Sequence, residues 1–221
     1  MTDLAMTQLW LDLCTTMSVD QREQTRSSPR EKLEVSATAD DVGLIELVAG
    51  GDVRAYRQLV DRHLRGIHAF AYRMLGNRAE AEEVSQETFL RLWEHAGRYL
   101  PQAKPSTWIY RIAHNLSIDR LRRRRERSAP VAPDELPASE RPSGLFLERQ
   151  VAEAVQRALD ELPERQRAAI GLVHYQGLSN AEAAEVLGVG VRALESLLAR
   201  ARRQLRDRLA ALAPAQRKEE A

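Results

Sequence analysis

Apolar residues recur along most of this chain at three- and four-residue spacing, the period of amphipathic helices, and predict an all-α fold. Leu44, Ile45, Leu47 and Val48 mark a short helix that stops at Gly50-Gly51. Val53, Tyr56, Val60, His63, Leu64, Ile67, Ala71 and Met74 line a long one that ends at Gly76. Asn77 opens the next, with Glu80 three residues on as a capping-box partner. Its inner stripe is Ala81, Val84, Ser85, Thr88 and Leu92; Glu80, Glu83, Glu87 and Glu94 lie opposite, with Leu90 exposed among them. After a constrained loop, Gly97 to Pro105, a helix runs from Ser106 to Arg127. Trp108, Ile109, Ile112, Ala113 and Leu116 face inward there. Arg111, His114, Arg122 and Arg125 face outward, with Tyr110 and Asn115 beside them.

The pattern then lapses. Ser128 to Gly144 holds Pro130, Pro133, Pro137 and Pro142 with mixed charge, a composition too poor in apolar surface to fold alone. It reads as a flexible linker, residues 128–146, joining two small helical domains at 40–127 and 147–210. In the second, Val151, Val155, Ala158, Leu159 and Leu162 mark one helix, Pro163 starts another, and Gly177 ends it. Ser179 with Glu182 forms a capping box for a short helix that stops at Gly188. A long last helix buries Val191, Leu194, Leu198, Ala201, Leu205 and Leu209 and turns Arg192, Ser196, Ala199, Arg200 and Arg203 outward. A short capped helix, a glycine turn and a basic second helix make a helix-turn-helix pattern. Any helical hairpin can imitate that spacing, and the arginine face is what favours DNA. Residues 1–39 read as a mobile extension with one short helix at Leu4–Leu13 and alternative initiators at Met6 and Met17; residues 211–221 read as a tail.

Composition sharpens this picture at two places. The net charge is only +1, yet Lys104–Arg127 carries eight basic and two acidic residues and Leu187–Ala210 six and two. Two local basic patches on a neutral whole argue for docking on a polyanion at specific sites. Cys14 is the only cysteine, which excludes a disulfide framework and a cysteine-based zinc site and fits a reducing cytoplasm. No apolar run approaches membrane-spanning length, so no membrane insertion is expected. His63 and His68 are five apart and share no helix face, so they read as packing or surface histidines. With no metal, cofactor or hydrolytic constellation in the pattern, a non-enzymatic protein is expected.

Two stretches stay open on the residues alone. The acidic face around Leu90 is either a solvated surface or a docking site, an apolar anchor within a polar rim. The loop with Tyr99 and Lys104 either grips an unstacked base or simply connects two helices.

Three segments in order settle on one resemblance: Glu82 to Trp93 (EEVSQETFLRLW); Ser106 to Asn115 (STWIYRIAHN), continuing to Asp119-Arg120-Leu121; and Leu159 through Leu162-Pro163-Glu164-Arg165-Gln166-Arg167 to Gly177-Leu178-Ser179 and Ala201–Arg206. Together they resemble an extracytoplasmic-function sigma factor, the small bacterial promoter-recognition subunit of RNA polymerase. The resemblance implies that Glu83, Gln86, Glu87 and Leu90 dock on core RNA polymerase. It implies that Tyr99, Lys104, Ser106, Tyr110, Arg111, His114, Asn115, Arg122 and Arg125 meet the −10 element of promoter DNA, melting the duplex and holding a flipped base. Arg192, Glu195, Ser196, Ala199, Arg200 and Arg203 would meet the −35 element from the major groove. Trp108 matches the family tryptophan, but its helical angle puts it inward, packing the helix that carries the pocket. Glu195-Ser196-Leu197 stands where the family often has a lysine followed by Ser-Arg, so the −35 sequence does not transfer. An anti-sigma factor that clasps both domains is also implied. The competing reading is a transcription regulator that binds duplex DNA by itself through Ser179–Arg208; a tRNA-modifying or other RNA enzyme rests on the arginines alone.

Overall fold

A computed structural model of the protein describes residues 40–127 and 154–212, with side chains as far as 209. The expected extension 1–39, the expected linker 128–146, residues 147–153 with Val151 of the expected helix, and the chain beyond 212 lie outside the described residues. Those described are helical, with no strand among them. The first lobe holds α1 (Asp41–Ala49), α2 (Val53–Leu75), α3 (Arg78–His95) and α4 (Pro105–Glu126). The second holds α5 (154–160), α6 (Glu164–Ile170), a π-helical turn (Gly171–Tyr175), α7 (Asn180–Leu187) and α8 (Val191–Leu212).

Local chemistry fixes the boundaries. Asp52 accepts hydrogen bonds from the backbone N–H of Arg54 and Ala55 at 2.7 and 3.1 Å, a cap at the start of α2 that the apolar pattern does not reveal. Gly76 ends α2 at φ 65°, a left-handed position that costs glycine little. Asn77 caps α3 through Glu80 N–H at 2.9 Å, but the Glu80 carboxylate turns to Arg124 instead of back to Asn77. The expected capping box is therefore only half formed there. At Ser179 and Glu182 it is complete.

The first core packs Leu59, Val60, Ile67 and Phe70 of α2 against Val84, Phe89 and Leu92 of α3 and Ile109 and Ala113 of α4. Ser85, Thr88 and Ser117 lie inside this core because each hydroxyl donates to the carbonyl four residues back, at 2.7–2.8 Å. In the second lobe, Leu159, Ala168, Leu172 and Ala183 meet Leu194, Leu198 and Ala201 of α8. Three positions expected inside are substantially exposed, Leu47 (50 %), Val53 (42 %) and Val191 (43 %). Each sits in the first or last turn of its helix, where the apolar stripe runs past the edge of its neighbour.

The described residues from Asp41 onward form one compact unit, and the two lobes pack directly on each other. Arg167 of α6 is the tie. The residue is 8 % exposed, and its guanidinium donates to Met74 O at 2.6 Å, to Leu162 O at 3.2 Å and to Asp160 O. It thus joins the last carbonyls of α2 to the turn before α6. Close approach needs glycine on both sides. A side chain at Gly171 would meet the Phe70 ring at 3.3 Å, and one at Gly66 would meet the Tyr110 hydroxyl at 2.5 Å. Arg73 lies 3.9 Å over the ring of Tyr175, a cation–π contact across the same seam.

Candidate nucleic-acid interface

The helix α4 has the division of faces that its periodicity demands, with two corrections. Thr107, Ile109, Ala113, Leu116 and Ser117 are buried, while Asn115, Arg122 and Arg125 are exposed. Tyr110, expected among the outward tips, is only 7 % exposed. Its ring meets Phe70 edge-on at 5.8 Å and its hydroxyl donates to Gln176 at 2.7 Å. Burial pushes that phenol up to about 12, despite the pull of nearby Arg73. His114, also expected outward, has both ring nitrogens shut away from solvent. Burial holds it below the usual imidazole range, Asn115 opposing and Arg165 reinforcing the effect. Both corrections have one cause: the second lobe covers a strip of α4 that looks solvent-facing from the period of the first lobe alone.

The cations along that strip are engaged. Lys104, immediately before α4, pairs with Glu182 at 2.7 Å. Arg111 donates to the Glu185 carboxylate and carbonyl at 3.1 and 3.0 Å. Arg125 pairs with Glu164 at 2.7 Å, and Arg122 with Asp119 of its own helix at 3.3 Å. Arg124, next to them in the basic run, is half-buried and binds Leu75 O and Glu80. The Lys104 ammonium and the capping bonds from Ser179 together hold the Glu182 carboxyl down to about 2.

Trp108, expected inside, is half-buried, with Tyr99 against it at 5.3 Å between ring centres. The Tyr99 hydroxyl closes the loop by donating to Ala103 O. Half-buried Ser106 opens α4 next to Pro105. The apolar group most open to solvent in this loop is one the sequence reading passed over, Leu100, at 66 %. Its only signal is its place between Tyr99 and Pro101, at the tip of the turn.

On α3, Glu83 pairs with Arg120 of α4 and Glu87 with Arg91 at 2.8 Å, so both acids are already neutralised in part. Leu90 is half-buried rather than exposed, and Gln86 is half-buried as well. The patch is a shallow mixed surface more than an anchor ringed by free charge.

The outer face of α8 agrees with expectation throughout. Arg192, Glu195, Ser196, Ala199, Arg200 and Arg203 are all exposed, one to three residues apart along about three turns. Ser196 spends its hydroxyl on the Arg192 carbonyl at 3.0 Å, which leaves less for a base edge. No group of three or more metal-ligating side chains occurs among the described residues, and none of the described helices is long and apolar enough to cross a membrane.

Comparison with known proteins bears on both lobes. A family model for sigma-70 region 2 matches residues 59–127, and one for sigma-70 region 4 matches 152–205. The chain is 35 % identical over 183 residues to the ECF RNA polymerase sigma factor SigE of Mycolicibacterium smegmatis, covering 80 % of this chain and 71 % of that one. It is 37 % identical over 167 residues to SigM of Mycobacterium tuberculosis, covering 75 % and 82 %. Among solved structures, the sigma factor RpoE of Bartonella quintana in complex with the anti-sigma factor NepR superposes with a TM-score of 0.59 at 26 % identity, over 72 % of this chain and 98 % of that one.

Proposed function

The chain belongs to the ECF family of RNA polymerase sigma factors, and on that premise we propose which of its surfaces carry the work. It binds core RNA polymerase, directs it to promoters and promotes melting of the duplex. In our reading, residues 40–127 form the domain for core polymerase and the −10 element, and 147–210 the domain for the −35 element. Glu83, Gln86, Glu87 and Leu90 form the polymerase-facing patch; half-burial of Leu90 makes it a contact within a mixed surface, not a protruding anchor. Arg192, Glu195, Ser196, Ala199, Arg200 and Arg203 read the −35 element from the major groove. The observation that carries this is the exposed row Arg192, Arg200 and Arg203 on the second helix of a capped helix-turn-helix. Among the described residues none of the three is held in an ion pair. Glu195, between them, accepts from a cytosine amino group and repels phosphate elsewhere, which makes it the residue that sets this chain's preference.

At the −10 element the corrected geometry redistributes the roles. Lys104, Arg111, Arg122 and Arg125 meet the backbone, and Ser106 and Asn115 supply polar tips. Tyr99 with Trp108 offers an aromatic platform on which an unstacked base can rest. Tyr110 and His114 support that surface from beneath while the lobes are packed together. The protein works in the cytoplasm, without enzymatic activity, under the control of an anti-sigma factor; the Bartonella quintana neighbour was solved in complex with one.

The test is whether purified protein retains promoter DNA alone or only with core polymerase. Retention and duplex opening that require core support this reading. Tight, sequence-specific binding of duplex DNA without polymerase would replace it with an autonomous regulator.

A further inference from the structure

Three of the four cations proposed to meet −10 DNA, Lys104, Arg111 and Arg125, are held in this structure by the second lobe's own carboxylates. Glu182 and Glu185 lie three residues apart on α7 and project from one face, roughly 5–6 Å between their Cβ atoms. Lys104 and Arg111 lie seven residues apart, two turns of α4. Each acid takes one cation, at 2.7 and 3.1 Å. Between these pairs and the Arg167 tie, Tyr110 hydrogen-bonds Gln176 over Gly66, which has no side chain to obstruct it. The seam is therefore specific: a buried arginine, two glycine approaches and three charge pairs, the third being Arg125 with Glu164.

We propose that the acidic face of α7 acts as an internal mimic of promoter phosphates, so that the packed state hides the −10 surface and must open before the first lobe engages single-stranded DNA. This rests on the reading of Lys104 and Arg111 as DNA contacts. Binding then follows the population of the open state, because apparent affinity falls by the fraction competent. The first lobe is kept off DNA without a second chain, and a partner that separates the lobes releases the −10 surface, the outer face of α8 being open already.

The test uses the full-length chain with Cys14→Ser and dyes on Arg57→Cys and Arg206→Cys, one on each lobe at exposed positions. The perturbation is Glu182→Gln with Glu185→Gln. Glutamine still serves a capping box, so α7 keeps its start while both carboxylate charges go. A variant with Glu46→Gln and Asp61→Asn, exposed sites remote from the seam, matches the change in net charge. The probe is a fluorescent single-stranded dT/dA 12-mer, without polymerase. Energy transfer should fall in the double variant, and oligonucleotide affinity should rise on the order of tenfold, as expected for two released surface pairs. The charge-matched control should stay near wild type in both. Unchanged transfer overturns the proposal, since the gain in affinity would then be charge alone; so does lobe opening without a gain in affinity. Failure of the sigma reading itself would show separately, as absence of core-dependent promoter binding, while the dye measurement stands.

Discussion

Replacing Arg167 with methionine tests whether the two lobes are energetically one unit. The guanidinium satisfies three carbonyls, those of Met74, Asp160 and Leu162, from a site 8 % exposed. Hydrogen bonds to a charged group contribute about 1.5–3 kcal/mol each, set against several kcal/mol for burying the charge. Methionine would recover some packing and avoid that desolvation, yet leave Met74 O and Leu162 O without donors. The net loss should be about 2–4 kcal/mol, a large share of a typical 5–15 kcal/mol stability. With a urea slope near 2 kcal/mol/M, the midpoint should fall by about 1–2 M. Arg167→Lys should recover only part, because a point charge cannot reach three acceptors at once. The assay is urea unfolding followed by circular dichroism and by tryptophan fluorescence in a Trp10→Phe background, which leaves Trp93 and Trp108 of the first lobe as the emitters. Arg167 belongs to the second lobe, so a shift in the tryptophan transition reports the tie itself. A midpoint change confined to circular dichroism, or smaller than about 0.3 M in both, would refute the reasoning.

Four further outcomes follow from the same geometry. Gln86→Ala or Glu83→Lys should weaken capture of core polymerase while the melting temperature changes little, since the Glu83–Arg120 pair is half-exposed and worth at most about 1 kcal/mol; unchanged co-purification in both would remove α3 as the docking face. Alanine at Arg200 and Arg203 should each lower transcription from a −35-dependent promoter, by about 1–3 kcal/mol of promoter affinity if bidentate to a base; normal output would show that the outer face of α8 reads nothing. Gly66→Ala would press a methyl against the Tyr110 hydroxyl and should cost about 1–3 kcal/mol as overpacking, measured by calorimetry. Because burial depresses the His114 pKa, the unfolded chain takes up that proton first. Its contribution is complete above about pH 6.5 and is lost as pH falls below that, so His114→Gln should flatten the decline in melting temperature between about pH 6.5 and 5. An equally steep decline in the variant would assign the effect elsewhere, His68 being depressed in the same direction.

The helices and their inward faces were legible because burial within one lobe imposes a strict 3.6-residue period, as Leu59, Ile67 and Phe70 or Leu194, Leu198 and Ala201 illustrate. The outer face of α8 was legible for the complementary reason, since nothing packs on it. What escaped was everything set by contact between the lobes. Tyr110 and His114 look outward on a helical wheel, but Tyr110 is closed in between Phe70 of α2 and Gln176 of the second lobe, and α7 packs along the same helix. Arg167 stood within a recognisable motif, but no periodicity marks a buried arginine that caps another helix's carbonyls. Gly66, Gly76 and Gly171 carried a faint hint: Gly66 and Gly171 interrupt or end helices without need of a turn, and that points to close approach by a neighbour. Leu90 was read as exposed because the wheel assigns faces, not depth.

The central claim is that this chain opens promoters only together with core polymerase. Core polymerase and the purified protein would first be incubated with fragmented genomic DNA and the retained fragments sequenced, to define a promoter. That promoter would then carry 2-aminopurine within its −10 element. The account predicts a rise in fluorescence when both core and this protein are present, and none with either alone. A rise with the protein alone, or none with the two together, would contradict it.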